Sequence, residues 1–189
     1  MSDIVIKNLS KSFGQKRVLS NLSAVIPEGR FTAVMGASGS GKTTLGRILL
    51  GLERADSGSI EGLPDRLSAV FQEDRLFEEF SALSNLRAVA GRKRDGEMAA
   101  LLEALGLGRE INAPVSSFSG GMKRRVAIAR AIAAQGELTV LDEPFSGLDG
   151  ETKLSVMAFV RQKLSGKTVL LITHDPSDAE FFGAETIRL

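Results

Sequence analysis

The chain contains no cysteine, which excludes disulfides and thiolate metal sites and fits a reducing compartment. Long apolar runs are missing too. A bilayer-spanning helix needs about 18 apolar residues in a row, and even the stretch from Val126 to Ala134 is interrupted by Arg130. The opening residues Met1-Ser2-Asp3-Ile4-Val5-Ile6-Lys7 lack the apolar centre of a signal peptide. The expectation is a cytosolic protein that meets a membrane only through a partner. Nor does one charge predominate. The chain has 24 Lys and Arg against 23 Asp and Glu, a net charge of +1, which gives no electrostatic case for nucleic acid as the main partner. Internal repeats, low-complexity tracts and long linkers are absent as well.

What is present fits one soluble globular domain: 189 residues, 43% hydrophobic and 25% charged. Two basic clusters interrupt this even background. Arg92-Lys93-Arg94 reads as a solvated surface, and Lys123-Arg124-Arg125 as one face of a helix.

One segment carries far more information. Gly36-Ala37-Ser38-Gly39-Ser40-Gly41-Lys42-Thr43 fits G-x-x-x-x-G-K-[ST], the loop that wraps nucleotide phosphates. Its glycines let the backbone bend close to a ligand and turn successive N–H groups toward phosphate oxygens. Lys42 supplies a charge for the β- and γ-phosphates, and the Thr43 hydroxyl can join the coordination of Mg²⁺. The flanks agree with this reading. Phe31–Met35 has the character of a short buried strand, and Leu45, Ile48, Leu49 and Leu52 recur at helical spacing. The loop therefore opens a helix whose N-terminus faces the anion.

Strand patterns occupy the first thirty residues: Ile4-Val5-Ile6, a turn at Phe13-Gly14-Gln15-Lys16, then Val18-Leu19 and Ala24-Val25-Ile26. Ser57-Gly58-Ser59 reads as a turn and Leu67–Phe71 as a further strand. The middle is helical, with Met98, Leu101, Leu102 and Leu105 on one helix and Val126, Ile128, Ala129 and Ile132 on another. Two intensely apolar strands follow, Leu138–Leu141 and Val169–Thr173, with a helix around Leu154 to Leu164 between them. Such runs belong in a parallel sheet covered on both faces. The pattern is α/β with a helical insertion.

The strand at Leu138 ends in Asp142-Glu143-Pro144, where ligands bind in open parallel sheets. Asp142 can hold Mg²⁺, and Glu143 can orient or deprotonate a water attacking the γ-phosphate. Two acids that merely face solvent fit poorly beside a phosphate loop. His174 is the single histidine and follows the other apolar strand directly. From position alone it is either structural or a γ-phosphate ligand. Gln72, at the end of Leu67–Phe71, can offer its amide oxygen to Mg²⁺ or water. Ser119-Gly120-Gly121 before a helix is either a second anion site or a plain cap.

In this order, these residues resemble the nucleotide-binding subunits of ABC transporters, along essentially the whole chain. Gly36 to Thr44 matches the Walker A loop, Gln72 the Q-loop and Phe118-Ser119-Gly120-Gly121-Met122 the signature L-S-G-G-Q. Leu138 to Asp142 matches the Walker B strand. Glu143 stands at the catalytic glutamate, Ser146-Gly147-Leu148-Asp149 at the D-loop and His174 at the switch histidine.

The resemblance implies a P-loop NTPase core with a mostly parallel sheet, an N-terminal antiparallel β subdomain and an inserted helical subdomain. The core would span residues 1–72 and 136–189, and the insertion 73–135. ATP and Mg²⁺ are the implied cofactors, and Glu143, His174 and Lys42 the catalytic residues. Nucleotide contacts fall to Phe13, Val18, Gly36, Ser38, Gly39, Ser40, Gly41, Lys42, Thr43, Thr44, Gln72, Ser119, Gly120, Gly121 and Asp149. The metal falls to Thr43, Gln72 and Asp142. The implied partners are a second copy or a related ATPase, closing head to tail over two ATP molecules, with membrane-spanning permease subunits and, indirectly, a solute-binding protein. The implied location is the cytoplasmic face of the inner membrane.

Three departures stand out. Met122 replaces the usual glutamine, Phe13 stands where a tyrosine often stacks on adenine, and the sequence runs only a short way past His174, so that the family's optional C-terminal regulatory domain is expected to be absent. Phe71-Gln72-Glu73-Asp74-Arg75-Leu76 is similar to the small importer subunits of the nitrate, sulfonate and thiamine groups. The rival readings are a soluble ATPase of the same superfamily acting on DNA or ribosomes, and a regulatory module that binds ATP without hydrolysing it.

Overall fold

The computed structural model describes residues 2–91 and 94–189. Arg92 and Lys93, most of the first basic cluster, lie outside the described residues; Arg94 donates to the Ala133 carbonyl at 2.9 Å. In chain order the elements are β1 (Ile4–Phe13), β2 (Lys16–Ile26), β3 (Phe31–Met35), α1 (Lys42–Leu49), β4 (Ser57–Glu61), β5 (Leu67–Val70) and α2 (Ala82–Ala90). Then come α3 (Asp95–Ala104), α4 (Gly120–Ala133), β6 (Leu138–Asp142), α5 (Gly150–Lys163), β7 (Thr168–Ile172), α6 (Pro176–Phe182) and β8 (Glu185–Arg188). They gather into two compact units.

The first unit takes the chain up to Ala69, then Glu137–Glu143 and Ser165–Leu189. β1 and β2 form an antiparallel hairpin around Gly14-Gln15, and β4 pairs with the other edge of β1. Ser57-Gly58-Ser59, expected as a turn, is instead the start of β4. Gly58 has φ +93 and lies so close to β1 that a Cβ would meet the Asn8 carbonyl at 2.6 Å, where the pairing register shifts. The glycine marks a bulge in the ladder, not a reversal of the chain. The second sheet has the order β5-β6-β7-β3-β8, and β3 runs parallel to both β7 and β8, as β6 does to β7. β6 and β7 are buried at every position, the reason their sequences run apolar without alternation. One core joins the hairpin, α1 and the parallel sheet through Ile4, Ile26, Leu45, Leu49, Val140 and Ile172.

The second unit, Val70–Gly136 and Pro144–Leu164, is helical. α2, α4 and α5 each start on a side-chain cap, whereas α3, which follows Arg94, has none. Ser81 Oγ accepts from Ser84 N, Ser119 Oγ from Met122 N and Asp149 Oδ1 from Thr152 N. α2, α3 and α4 pack on one another, and Leu86, Met98, Leu102 and Val126 on them are fully buried. Four elements lie outside the sequence expectations: β4, whose start reads as a turn, and α2, α6 and β8.

Candidate active site

Neighbouring strands of the parallel sheet end side by side and bring the expected chemistry together. β3 runs into the phosphate loop, β6 into Asp142-Glu143 and β7 into Thr173-His174. This is the edge at which open α/β sheets bind ligands.

Gly41, the last residue before α1, has φ +104, and a Cβ there would meet the Val18 carbonyl at 2.7 Å and Leu19 Cδ2 at 2.8 Å. The β1–β2 hairpin thus presses on the phosphate loop and leaves room for glycine alone. α1 has no side-chain cap and no acidic residue in its first turn, so its leading N–H groups stay available to an anion. Lys42 folds back across the loop, with Nζ donating to the Gly36 carbonyl at 2.8 Å and the Ala37 carbonyl at 2.9 Å. Ser38 and Gly39 are exposed, and Ser40 and Thr44 half-buried.

Asp142 is buried and hydrogen-bonded to the Thr43 hydroxyl. Burial pushes its carboxyl above the usual range, against the pull of that bond. Asp142 Oδ1 and, nearby in the loop sequence, Ser40 Oγ are buried with no hydrogen-bond partner among the described residues. No cluster of three or more His, Cys, Asp or Glu is placed to hold a metal among those residues. Mg²⁺ needs none here, because it is typically held by one or two protein oxygens, waters and substrate phosphates. The orphaned Asp142 oxygen beside Thr43 fits that donor set.

Glu143 leaves β6 with φ +48, a left-handed conformation rare outside glycine and asparagine. Its N–H donates to the Ile172 carbonyl at 2.9 Å, which fixes the turn. The carboxylate meets His174 and holds the imidazole pKa above its ordinary value. Thr173, fully buried, shapes the approach to His174. Its Oγ1 donates to Asp178 Oδ2 at 2.9 Å and accepts from Asp175 N at 3.0 Å. Sequence reasoning missed this support. The available signal was a threonine at a strand end followed by acids two and five residues later.

Phe13 ends β1 with 48% of its surface exposed, and Val18 is half-buried on β2. Lys11 Nζ lies 5.0 Å from the Phe13 ring centroid and is itself held by Glu53 at 2.9 Å and Asp56 at 3.3 Å. The remaining candidates belong to the second unit. Gln72 is exposed just after β5, and Asp149 and Ser119 cap α5 and α4. Gly120 and Gly121 open α4, where a Cβ on Gly120 would meet nothing within 4 Å and one on Gly121 only ordinary contact with Leu148. The basic run Lys123-Arg124-Arg125 lies on α4 as expected, but Arg124 is buried.

Comparison with known proteins agrees with this constellation. Residues 19–146 match the ABC transporter family. The chain is 38% identical to the aliphatic sulfonates import ATP-binding protein SsuB 2 of Rhodococcus jostii (strain RHA1), over 93% of this chain and 74% of that one. It is 40% identical to SsuB 2 of Pseudomonas syringae pv. syringae (strain B728a), over 98% and 69% respectively. The dimeric bacterial ABC transporter cassette MJ0796 superposes with a TM-score of 0.86 at 29% identity, covering 98% of this chain and 94% of that one. A post-hydrolysis dimer of the same cassette, bound to ADP and Pi, gives 0.85 at 30% identity, with the same coverage. The chain belongs to the ABC transporter family, as a subunit that binds ATP and hydrolyses it to drive transport.

Proposed function

We propose that the chain works as one half of a head-to-tail dimer that powers solute uptake through separate membrane-spanning subunits. The observation that carries this reading is the glycine pair at the start of α4. Neither Gly120 nor Gly121 is required by its own chain, since a Cβ at either position meets no obstacle, yet glycine in a helix costs roughly 0.5–1 kcal/mol relative to alanine. Their bareness leaves both backbones open to a group that approaches from outside. In the dimer, Ser119, Gly120 and Gly121 meet the γ-phosphate held by the partner's Lys42, and Asp149 faces the same interface. The second subunit is another copy or a related ATPase.

Within each site Phe13 and Val18 receive the adenine, and the loop from Gly36 to Thr44 wraps the phosphates. Glu143 takes the proton of the attacking water, His174 holds the γ-phosphate, and Lys42 offsets charge that develops on its oxygens. Thr43, Asp142 and Gln72 would hold Mg²⁺, which supplies Lewis-acid stabilisation of phosphoryl oxygens when bound.

No helix among the described residues is long and apolar enough to cross a membrane. The protein sits peripherally on the cytoplasmic face of the inner membrane, through permease subunits. Phe77 and Phe80, packed edge to face at 5.9 Å and 54% and 58% exposed, offer those subunits an aromatic contact close to Gln72 in sequence. Relatives named for aliphatic sulfonate import support an organic anion as the solute. The test is purification of the tagged protein from its native membranes in mild detergent. A stoichiometric multi-span membrane protein supports the proposal; a soluble fraction bearing only ribosomal or DNA-bound partners overturns it.

A further inference from the structure

The segment that carries Gln72 is sewn to α4 by two arginines. Arg124, 7% exposed, donates from Nη1 to the Phe71 carbonyl at 2.7 Å and from Nη2 to the Gln72 carbonyl at 2.5 Å. Its Nε faces Asp74 Oδ1 at 3.2 Å. Further along the same helix, Arg130 donates to the Arg75 carbonyl at 2.8 Å and the Asp74 carbonyl at 3.1 Å. Arg75 closes the loop on itself, with φ +46 and its guanidinium 4.3 Å from the Phe71 ring centroid.

The carbonyls of Phe71 and Gln72 belong to the two peptide planes that flank the Gln72 Cα. Peptide planes are rigid, so fixing both fixes φ and ψ of that one residue. Arg124 therefore sets the backbone of Gln72 while the side chain stays exposed and free to work. A guanidinium is expensive to bury and suits this place because its fork matches both carbonyls while its charge stays beside Asp74. The N-terminus of the same helix is the Ser119-Gly120-Gly121 corner.

We propose that Arg124 is a positioning residue that makes the Gln72 loop and the Ser119-Gly120-Gly121 corner one rigid piece. A shift of α4, drawn by a phosphate at its N-terminus, then carries Gln72 with it. This rests on the proposed function, in which both ends of the piece act on nucleotide.

The test is a double-mutant cycle of Arg124→Ala and Gln72→Ala in the full chain, reading kcat and KM for ATP, with amide hydrogen exchange of residues 71–76 in nucleotide-free protein. Expected are a loss of roughly tenfold or more in kcat with KM within about twofold, faster exchange confined to the loop, and no further loss when Arg124→Ala is added to Gln72→Ala. Arg124→Lys, which can keep one carbonyl, should recover part of the rate. If Arg124→Ala fails to fold, Arg124→Gln replaces it in the cycle. Full turnover, losses that add, or a loss confined to KM overturns the proposal while Gln72→Ala is impaired. An unimpaired Gln72→Ala overturns the nucleotide role of Gln72, and the proposal with it.

Discussion

His174 Nδ1 lies 2.9 Å from both carboxylate oxygens of Glu143, so the two side chains assigned to the γ-phosphate and the attacking water are bonded to each other. The carboxylate favours the imidazolium and raises the histidine pKa above its ordinary value. The unfolded reference is about 6.5. Stabilisation from the pair is therefore complete below that value and is lost as pH rises through the higher folded one. His174→Ala should fall short of the parent in unfolding free energy most at about pH 6 and least at about pH 9. The effect is small, because the His174 side chain is 74% exposed. Urea unfolding of the nucleotide-free protein across this range checks it, and a pH-independent deficit would exclude the ion pair.

How much of this is legible in the sequence follows from the range of each interaction. The phosphate loop is local, and β6 and β7 announce themselves by unbroken apolar runs, so the strand-end residues Asp142, Glu143 and His174 can be placed in advance. Their mutual contact cannot. It joins residues 31 apart and exists because β6 and β7 are neighbours in the sheet. The grip of Arg124 on Phe71 spans 53 residues and looks, in sequence, like one more surface charge. Gly58 reads as a turn because a glycine in a bulge and one in a reversal need the same freedom. α6 is only seven residues long, too short for periodicity to show. Its cap, Asp175 before Pro176, was its readable mark.

Lys11 supports the face of Phe13 and should matter to the base of the nucleotide, not to its phosphates. A cation within about 6 Å of an aromatic ring is attracted to it and holds it in place. Lys11→Met removes the charge and keeps most of the stem. It should weaken ATP binding by roughly two- to fivefold and leave inorganic tripolyphosphate binding unchanged. Calorimetric titration with both ligands separates these outcomes. Equal loss for the two ligands would place Lys11 at the phosphates instead.

Asn85 is fully buried and closes the turn before α2. Its Nδ2 donates to the Phe77 carbonyl at 3.0 Å and the Ser81 carbonyl at 3.1 Å, and its Oδ1 accepts from Phe77 N at 2.9 Å. Asn85→Ala should destabilise the protein by about 2–3 kcal/mol, since buried partners are left unsatisfied. Asn85→Asp should be worse, although it is nearly isosteric, because a carboxylate oxygen would face two carbonyls where an amide now donates. Urea unfolding gives the ranking, and an aspartate variant more stable than the alanine one would contradict the assigned amide orientation.

The sharpest test of the dimer reading is a substitution that improves the isolated chain. Gly120 lies in the first turn of α4 and a Cβ there meets nothing within 4 Å. Gly120→Ala should therefore raise the unfolding free energy of the nucleotide-free protein by up to about 1 kcal/mol, through a less flexible unfolded chain and better helix propensity. The same methyl group would stand between α4 and the γ-phosphate held by a partner. ATP turnover should fall at least roughly tenfold, equivalent to about 1.4 kcal/mol of transition-state stabilisation. The ATP-dependent dimer should weaken alongside it. Sedimentation of Gly120→Ala in a Glu143→Gln background, where bound ATP should persist if Glu143 takes the proton of the attacking water, reads the assembly directly. A variant that is more stable and still dimerises and turns over normally would leave Gly120 facing solvent, with no phosphate near it.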